Sequence, residues 1–213
     1  MSDPWINRLV VSGPAAEVRA FQTSAASGEG PSQTSLSFTR LQAQLPAEGQ
    51  HGLDAPVEPW DDSSASNPSG VSAPETQARQ IPGMTRLVYR FSLDGYEPDT
   101  LLIRVSKLFL HLCFVLGWVA PSVDDQTSRF IHNGHTLVYH ASDRQKVSLR
   151  AKAYRRYGLS VDAASESTDD GALWADVEAD WALLDTVVKH WDGKVGRTLK
   201  RIQQSASLLS STS

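Results

Sequence analysis

Three histidines, His132, His135 and His140, surround the dipeptide Asn133-Gly134 in a His-x-x-His-x4-His series. Imidazole nitrogens are common metal ligands and titrate near neutral pH. Asn-Gly between two strand-like runs is the strongest short-range hairpin signal, because both central residues of a type I′ turn need positive φ. A two-residue turn there pairs His132 directly with His135, their Cβ atoms about 5 Å apart, close enough to share a metal. His140 lies further along the same strand and falls on its opposite face. Two ligands without a third make a weak zinc site, so the competing reading is a pair of polar residues at a hairpin tip.

A second constellation is basic. Lys146, Arg150, Lys152, Arg155 and Arg156, interleaved with Tyr154 and Tyr157, carry the charges and rings that hold phosphates and stack bases. Tyr89 and Phe91, two apart on a strand, share a face, as do the base-stacking aromatics of one class of RNA-binding sheet, although its glycine-flanked signature is absent. The competing reading is that the basic face pairs with the acidic segment after it. A third group, Trp174, Trp181 and Trp191, lies on one helix and suits an interaction surface or a core. The acidic pairs Asp61-Asp62, Asp124-Asp125 and Asp169-Asp170 read as solvated turns or helix caps. No glycine-rich phosphate loop or nucleophile elbow occurs. The sequence thus implies no cofactor and leans away from an enzyme.

Composition bounds the rest. The chain has 213 residues, of which 40% are hydrophobic, enough for one moderate domain with appendages. The net charge is −4, but unevenly spread: −5 over 23–83, +5 over 84–160, −8 over 161–192 and +4 over 193–213. Such blocks either fold against one another or offer basic patches to an anionic partner. The single cysteine, Cys113, sits in an apolar run and reads as a small buried hydrophobe. Lone-cysteine usage suits a cytoplasmic location. No secretory signal is visible, and the longest apolar run, Leu108 to Ala120, is too short to span a bilayer, so no membrane partner is expected.

These groups need elements to position them. Trp5 to Val11 reads as a strand, Pro14 as the first residue of a helix through Gln22, and Leu36 to Leu41 as a second strand by its alternation. From about 42 to 83 the chain is rich in Pro, Ser, Gly and acid, an irregular insertion with Trp60 as a possible anchor. Arg86 to Leu93 is a third strand. A helix starts at Pro98-Asp99 with an apolar stripe of Leu101, Leu102, Val105, Leu108 and Phe109. Leu112 to Val119 suits a central strand, and the Asn133-Gly134 hairpin follows. Asp143 reads as the cap of a helix through Tyr157 that Gly158 ends, although the alternation of Val147, Leu149, Ala151 and Ala153 also fits a strand. Ala172 to Trp191 is a helix with Trp174, Val177, Trp181, Leu184, Val188 and Trp191 at spacings of three and four. A short basic helix, Lys194 to Gln204, precedes a Ser-rich tail.

The segments Trp5-Ile-Asn-Arg-Leu-Val-Val-Ser-Gly-Pro and Leu36-Ser-Phe-Thr-Arg-Leu with Pro46 resemble the opening of the YubB-type ferredoxin-like family. So do Tyr89-Arg-Phe-Ser, Ser106-Lys-Leu-Phe, Leu112-Cys-Phe-Val-Leu and the Asn133-Gly134 turn further on. That family comprises bacterial plasmid, phage and mobile-element proteins without an assigned activity. Where it tends to show Trp-x-x-Pro-Pro at a helix start, this chain has Tyr96-Glu-Pro-Asp. The resemblance implies a fold and a mobile-element origin, and carries no catalytic residues.

The resulting expectation is an α+β protein: a ferredoxin-like split βαβ antiparallel sheet over 1–158 with a long irregular insertion. An acidic linker over 159–171, a C-terminal helical extension over 172–204 and a disordered tail over 205–213 complete it. The expected function is a non-enzymatic macromolecular interaction module with a protein or nucleic-acid partner, self-associating through the Trp-rich helix. The alternatives are a nucleic-acid-binding accessory protein using 146–156 and a metal-dependent enzyme using the histidine hairpin.

Overall fold

The computed structural model describes residues 5–26, 36–46, 75–78, 80–93, 98–120, 125–159 and 170–210. The Trp60 anchor, Asp61-Asp62, Asp124 and Asp169 lie outside these residues. The described chain is an α+β protein built on an open antiparallel sheet. In chain order it runs β1 (Trp5–Pro14), α1 (Ala15–Ala25), α2 (Phe38–Ala43), β2 (Glu75–Ala78), β3 (Met84–Leu93), α3 (Asp99–Leu108) and β4 (Cys113–Ala120). Then follow β5 (Asp125–His132), β6 (His135–His140), α4 (Asp143–Arg156), α5 (Asp170–Lys189) and α6 (Asp192–Ser210).

The spatial order of the strands is β2-β3-β1-β4-β5-β6. β1 lies at the centre, antiparallel to β3 from Trp5↔Leu93 to Pro14↔Met84 and to β4 from Ile6↔Val119 to Ser12↔Cys113. The crossover β3–α3–β4 therefore straddles β1. Seven consecutive residues of β1, Asn7 to Gly13, are buried, as are those of β4 from Cys113 to Val119. Strands buried on both faces lose the polar alternation of a half-exposed sheet, which accounts for the apolar run read over Leu112 to Val119.

Two helical layers cover the two faces. On one, Leu9, Val11, Leu87, Tyr89, Phe91, Phe114 and Leu116 meet Val18 and Phe21 of α1, Phe38 and Leu41 of α2, and Leu101, Leu102 and Val105 of α3. Phe21 anchors this core with edge-to-face contacts to Tyr89, Phe109 and Phe114 at centroid distances of 6.4, 5.6 and 5.4 Å. On the other face, Val10, Val88, Val115, Val119 and Phe130 meet Leu183, Leu184, Val187 and Val188 of α5, Trp191, and Val195 and Leu199 of α6. Each such side chain contributes about 1.5–3 kcal/mol by leaving water.

Several sequence expectations are corrected. Leu36 to Leu41 is not a strand: Ser37 accepts a hydrogen bond from the Arg40 backbone amide and starts α2, and Phe38 and Leu41, three apart, turn inward together. Only Leu36 keeps a strand-like bridge, to Ala26. The outer strand beside β3 is instead β2, inside the stretch read as an irregular insertion. Pro14 ends β1 and precedes α1, which runs to Ala25. α4 is capped by Ser142 rather than Asp143, through a reciprocal pair of bonds with Gln145. Gly158, at φ 70°, ends α4 as expected, with the Gly158 and Leu159 amides donating to the Arg155 and Tyr154 carbonyls. α6 continues through Ser210, so the helix absorbs most of the tail read as frayed. No described helix is long and apolar enough to cross a membrane.

Candidate anion-binding groove

The Asn133-Gly134 hairpin forms with the expected register. Asn133 and Gly134 take φ 48° and 76°, and His132 pairs with His135. Its tip is fixed from below. The Gly134 amide donates to Ser106 Oγ at 2.8 Å, and Ser106 Oγ donates to the Ile103 carbonyl at 2.7 Å, so α3 holds the turn. A Cβ on Gly134 would meet only the flexible Lys107 side chain, which can move aside, so it is the positive φ that favours glycine. His132 Nδ1 lies 3.0 Å from the Leu112 carbonyl, an acceptor only, so that nitrogen carries the proton and Nε2 faces away.

α6 lies beside this hairpin. Val195, Leu199 and Ile202 turn into the core, while Lys194, Thr198, Arg201 and Ser205, spaced four, three and four, form an adjacent stripe. The start of α6 is held by Arg86–Asp192 at 3.4 Å, and its middle by Gln203 Nε2 donating to the Pro82 carbonyl at 3.2 Å. Between stripe and hairpin runs an open groove of about 660 Å³, lined by His111, Phe130, His132, Asn133, His135, Thr136 and Leu137 opposite the α6 stripe. Among the described residues, no acidic one lines it. Lys194 Nζ sits 5.9 Å from the Phe130 ring centroid, over its face. Neither Lys194 nor Arg201 has an acidic partner among the described residues. Glu17 meets His111 Nδ1 and balances that imidazole when it is protonated. The Phe130 ring is itself buried, so the groove offers positive charge beside the exposed side chains of Leu110 and Leu137, which suits an anionic ligand.

Of the histidine series, His132 and His135 share the groove, and His140 sits apart with Nδ1 2.9 Å from Thr127 Oγ1. No group of three or more His, Cys, Asp or Glu able to hold a metal gathers among the described residues.

The basic stretch on α4 behaves differently. α5 packs beside it and supplies carboxylates. Arg150 Nε lies 3.0 Å from Asp176 Oδ1, Arg156 pairs with Glu178, and Lys146 reaches Asp143 at 3.8 Å. Tyr154 is buried and donates to Asp176 Oδ1 at 3.0 Å, so it offers no ring to a base. Lys152 and Arg155 remain exposed. Lys146 and Arg150 line a cleft of about 480 Å³ with Asp143, Asp176 and Asp180. Burial, aided by the neighbouring Asp176 charge and opposed by Arg150, pushes the Asp180 carboxyl up to about 6. The basic and acidic blocks thus largely neutralise each other across α4 and α5.

The aromatic candidates also divide. Tyr89 and Phe91 share a face as expected, but that face lies under α1 and α2 and both rings are buried. The other sheet face is covered by α5 and α6, so neither face presents a stacking platform. Trp191 is buried, its Nε1 donating to Ser128 Oγ at 2.8 Å, and Trp181 is half-buried against the same core. Of the three tryptophans only Trp174, 59% exposed beside Leu173, stands in solvent, and Tyr157 at the end of α4 is exposed as well. The buried stripe of α5 is Ala172, Ala175, Ala179, Leu183 and Val187, joined by Leu184 and Val188, whereas Trp191 lies beyond the end of α5 at Lys189, in the turn before α6. Small alanines let α4 and α5 approach, a role that the tryptophan spacing concealed.

Sequence reasoning named His132 and His135 but missed Lys194, Thr198, Arg201 and His111. A signal existed: 193–213 holds four basic residues and no acidic one, and the polar positions 194, 198, 201 and 205 recur at helical spacing. His111 has no such signal, since only the fold brings it to the groove. No protein-family model, no curated protein and no solved structure matches this chain.

Proposed function

We propose that this chain is a non-enzymatic interaction module that binds a nucleic-acid strand in the groove between the β5–β6 hairpin and α6. The observation that carries this reading is the pairing of Lys194 and Arg201 on one α6 face with His132 and His135 opposite, without an acidic lining residue among the described residues. Two cations about two helical turns apart match a phosphodiester chain better than a single phosphate. The 146–156 stretch is the weaker surface, because α5 carboxylates meet Arg150 and Arg156.

Binding of labelled single-stranded and duplex DNA and RNA, followed by fluorescence anisotropy across a salt series, tests this. Affinity should fall with salt, each phosphate contact adding about 0.7 to the slope of log K against log salt for a single strand. Lys194→Ala and Arg201→Ala should each remove about one such contact, whereas Lys152→Ala should leave the slope unchanged. Binding that is undetectable at low salt, or that ignores both α6 substitutions, removes the proposal.

We also assign β1, α1, β2, β3, α3 and β4 to a ferredoxin-like unit, to which the β5–β6 hairpin is added at the β4 edge. The order β2-β3-β1-β4 and the straddling β3–α3–β4 crossover support this. Membership of the YubB-type family, with its mobile-element origin, is proposed on the residues that carry that resemblance.

A further inference from the structure

β6 is the outermost strand of the sheet, and no described strand lies beyond it. Sheet edges present a row of backbone donors and acceptors, and monomeric proteins blunt them with charge, proline, bulges or short strands. The opposite edge, β2, follows that rule, with four residues and a glutamate. β6 follows none of it. Its six residues, His-Thr-Leu-Val-Tyr-His, include no proline, lysine, arginine or carboxylate. Its register with β5 advances one for one from His132↔His135 to Thr127↔His140, without a bulge. Leu137 and Val138, on opposite faces, are 46% and 44% exposed.

The backbone direction of each residue follows from the hairpin. Residues flanking a two-residue turn form a hydrogen-bonded pair, and such pairs alternate along an antiparallel ladder. The Ala141 amide donates to the Gln126 carbonyl at 3.0 Å, which fixes the same parity at the far end. His135, Leu137 and Tyr139 therefore direct their backbone groups to β5, and Thr136, Val138 and His140 direct theirs outward.

We propose that β6 pairs with β6 of a second copy of this chain, antiparallel, about a two-fold axis through Val138. Outward groups must meet outward groups, so even-numbered positions oppose even-numbered positions. Centring on Val138 uses all three outward residues: Val138 faces Val138, Thr136 faces His140, and Leu137 faces Tyr139 of the second copy. One face then carries the aliphatic Val138 pair flanked by two Thr136–His140 pairs, and the other carries two aliphatic–aromatic Leu137–Tyr139 pairs, which are favourable. Centring on Thr136 or His140 shortens the overlap, and the latter sets His140 against His140. An isologous pairing of this kind closes on itself, so it gives a dimer and leaves no further edge of this type free. The inference stands apart from the groove reading, since the backbone edge carries it.

Sedimentation equilibrium of the full chain should give twice the 23.3 kDa chain mass. Val138→Pro removes only an outward amide, a change an edge strand tolerates, and should yield a monomer with an unchanged near-ultraviolet spectrum. Val138→Cys places two thiols at the axis, where hydrogen-bonded partners have Cα atoms about 5.5 Å apart, within disulfide range. Mild oxidation should link it as a dimer, while the wild type, whose Cys113 is buried, should not link. A wild type that sediments as a monomer at every concentration overturns the proposal. So does a dimer that V138C fails to cross-link, whatever Val138→Pro does to folding.

Discussion

Asp180 shows how one residue reports on its surroundings. Its carboxyl is pushed up to about 6 from 3.8, chiefly by burial between α4 and α5. The folded state thus holds the proton more tightly than the unfolded state, and stability falls as pH rises through that window. The shift would correspond to about 3 kcal/mol if undamped, and solvent contact at this half-buried position discounts it to about 1 kcal/mol. Asp180→Asn should therefore be more stable than wild type at pH 7 by about 1 kcal/mol in urea denaturation, with the difference vanishing near pH 4. A variant less stable at pH 7 would mean that the Asp180 charge is compensated in the fold. Nothing in the sequence distinguished Asp180 from the other acids of its block, because its burial depends on where α4 lies.

At the scale of elements, the seat of α5 on the sheet is set by a row of residues crossing the strands. Arg8, Gly117 and Ser128 are neighbours through the β1–β4 and β4–β5 registers. Arg8 pairs with Asp185 of α5, and Ser128 Oγ donates to the Val187 carbonyl at 2.8 Å while accepting from Trp191. Between them, a Cβ on Gly117 would stand 2.6 Å from Val188 Cγ2 and 3.0 Å from Leu184 Cδ1. Gly117→Ala should push α5 off the sheet and cost about 1–3 kcal/mol, measured by denaturation. An unchanged midpoint would show that α5 shifts without loss. In the sequence, Gly117 is one position of the apolar run Leu112 to Val119 and nothing singles it out, whereas the fold makes it a point of close approach between helix and sheet.

For the whole molecule, the two helical layers set the folding unit. A sheet with one covered face could fold as 1–158 and carry 172–204 as an extension. Here α5 and α6 bury Val10, Val88, Val115, Val119 and Phe130 on the second face. Chain 1–158 alone would expose that surface, a patch of the size that drives association. It should therefore aggregate or bind hydrophobic dye, and lose the cooperative unfolding of the full chain. Cooperative unfolding of a monomeric 1–158 would show that the first helical layer suffices.

The sequence by itself determined the elements whose local chemistry is unambiguous. Asn133-Gly134 fixed the hairpin and its register, Gly158 ended α4, and the apolar run Leu112 to Val119 marked β4 as an interior strand. These rest on backbone preference and on burial of both strand faces, which neighbouring residues suffice to specify. Only the tertiary structure decided the rest. Leu36 to Leu41 alternates like a strand, but Ser37 capping and the pocket under Phe38 and Leu41 made it helical. The tryptophans at helical spacing suggested one face, yet α5 turned its alanines to α4 and left Trp174 outside. The basic run on α4 was largely neutralised by α5, and the unmatched cations appeared on α6 beside the hairpin. Charge is a property of residues, but whether a charge is free depends on which element packs beside it, and that is settled by long-range burial.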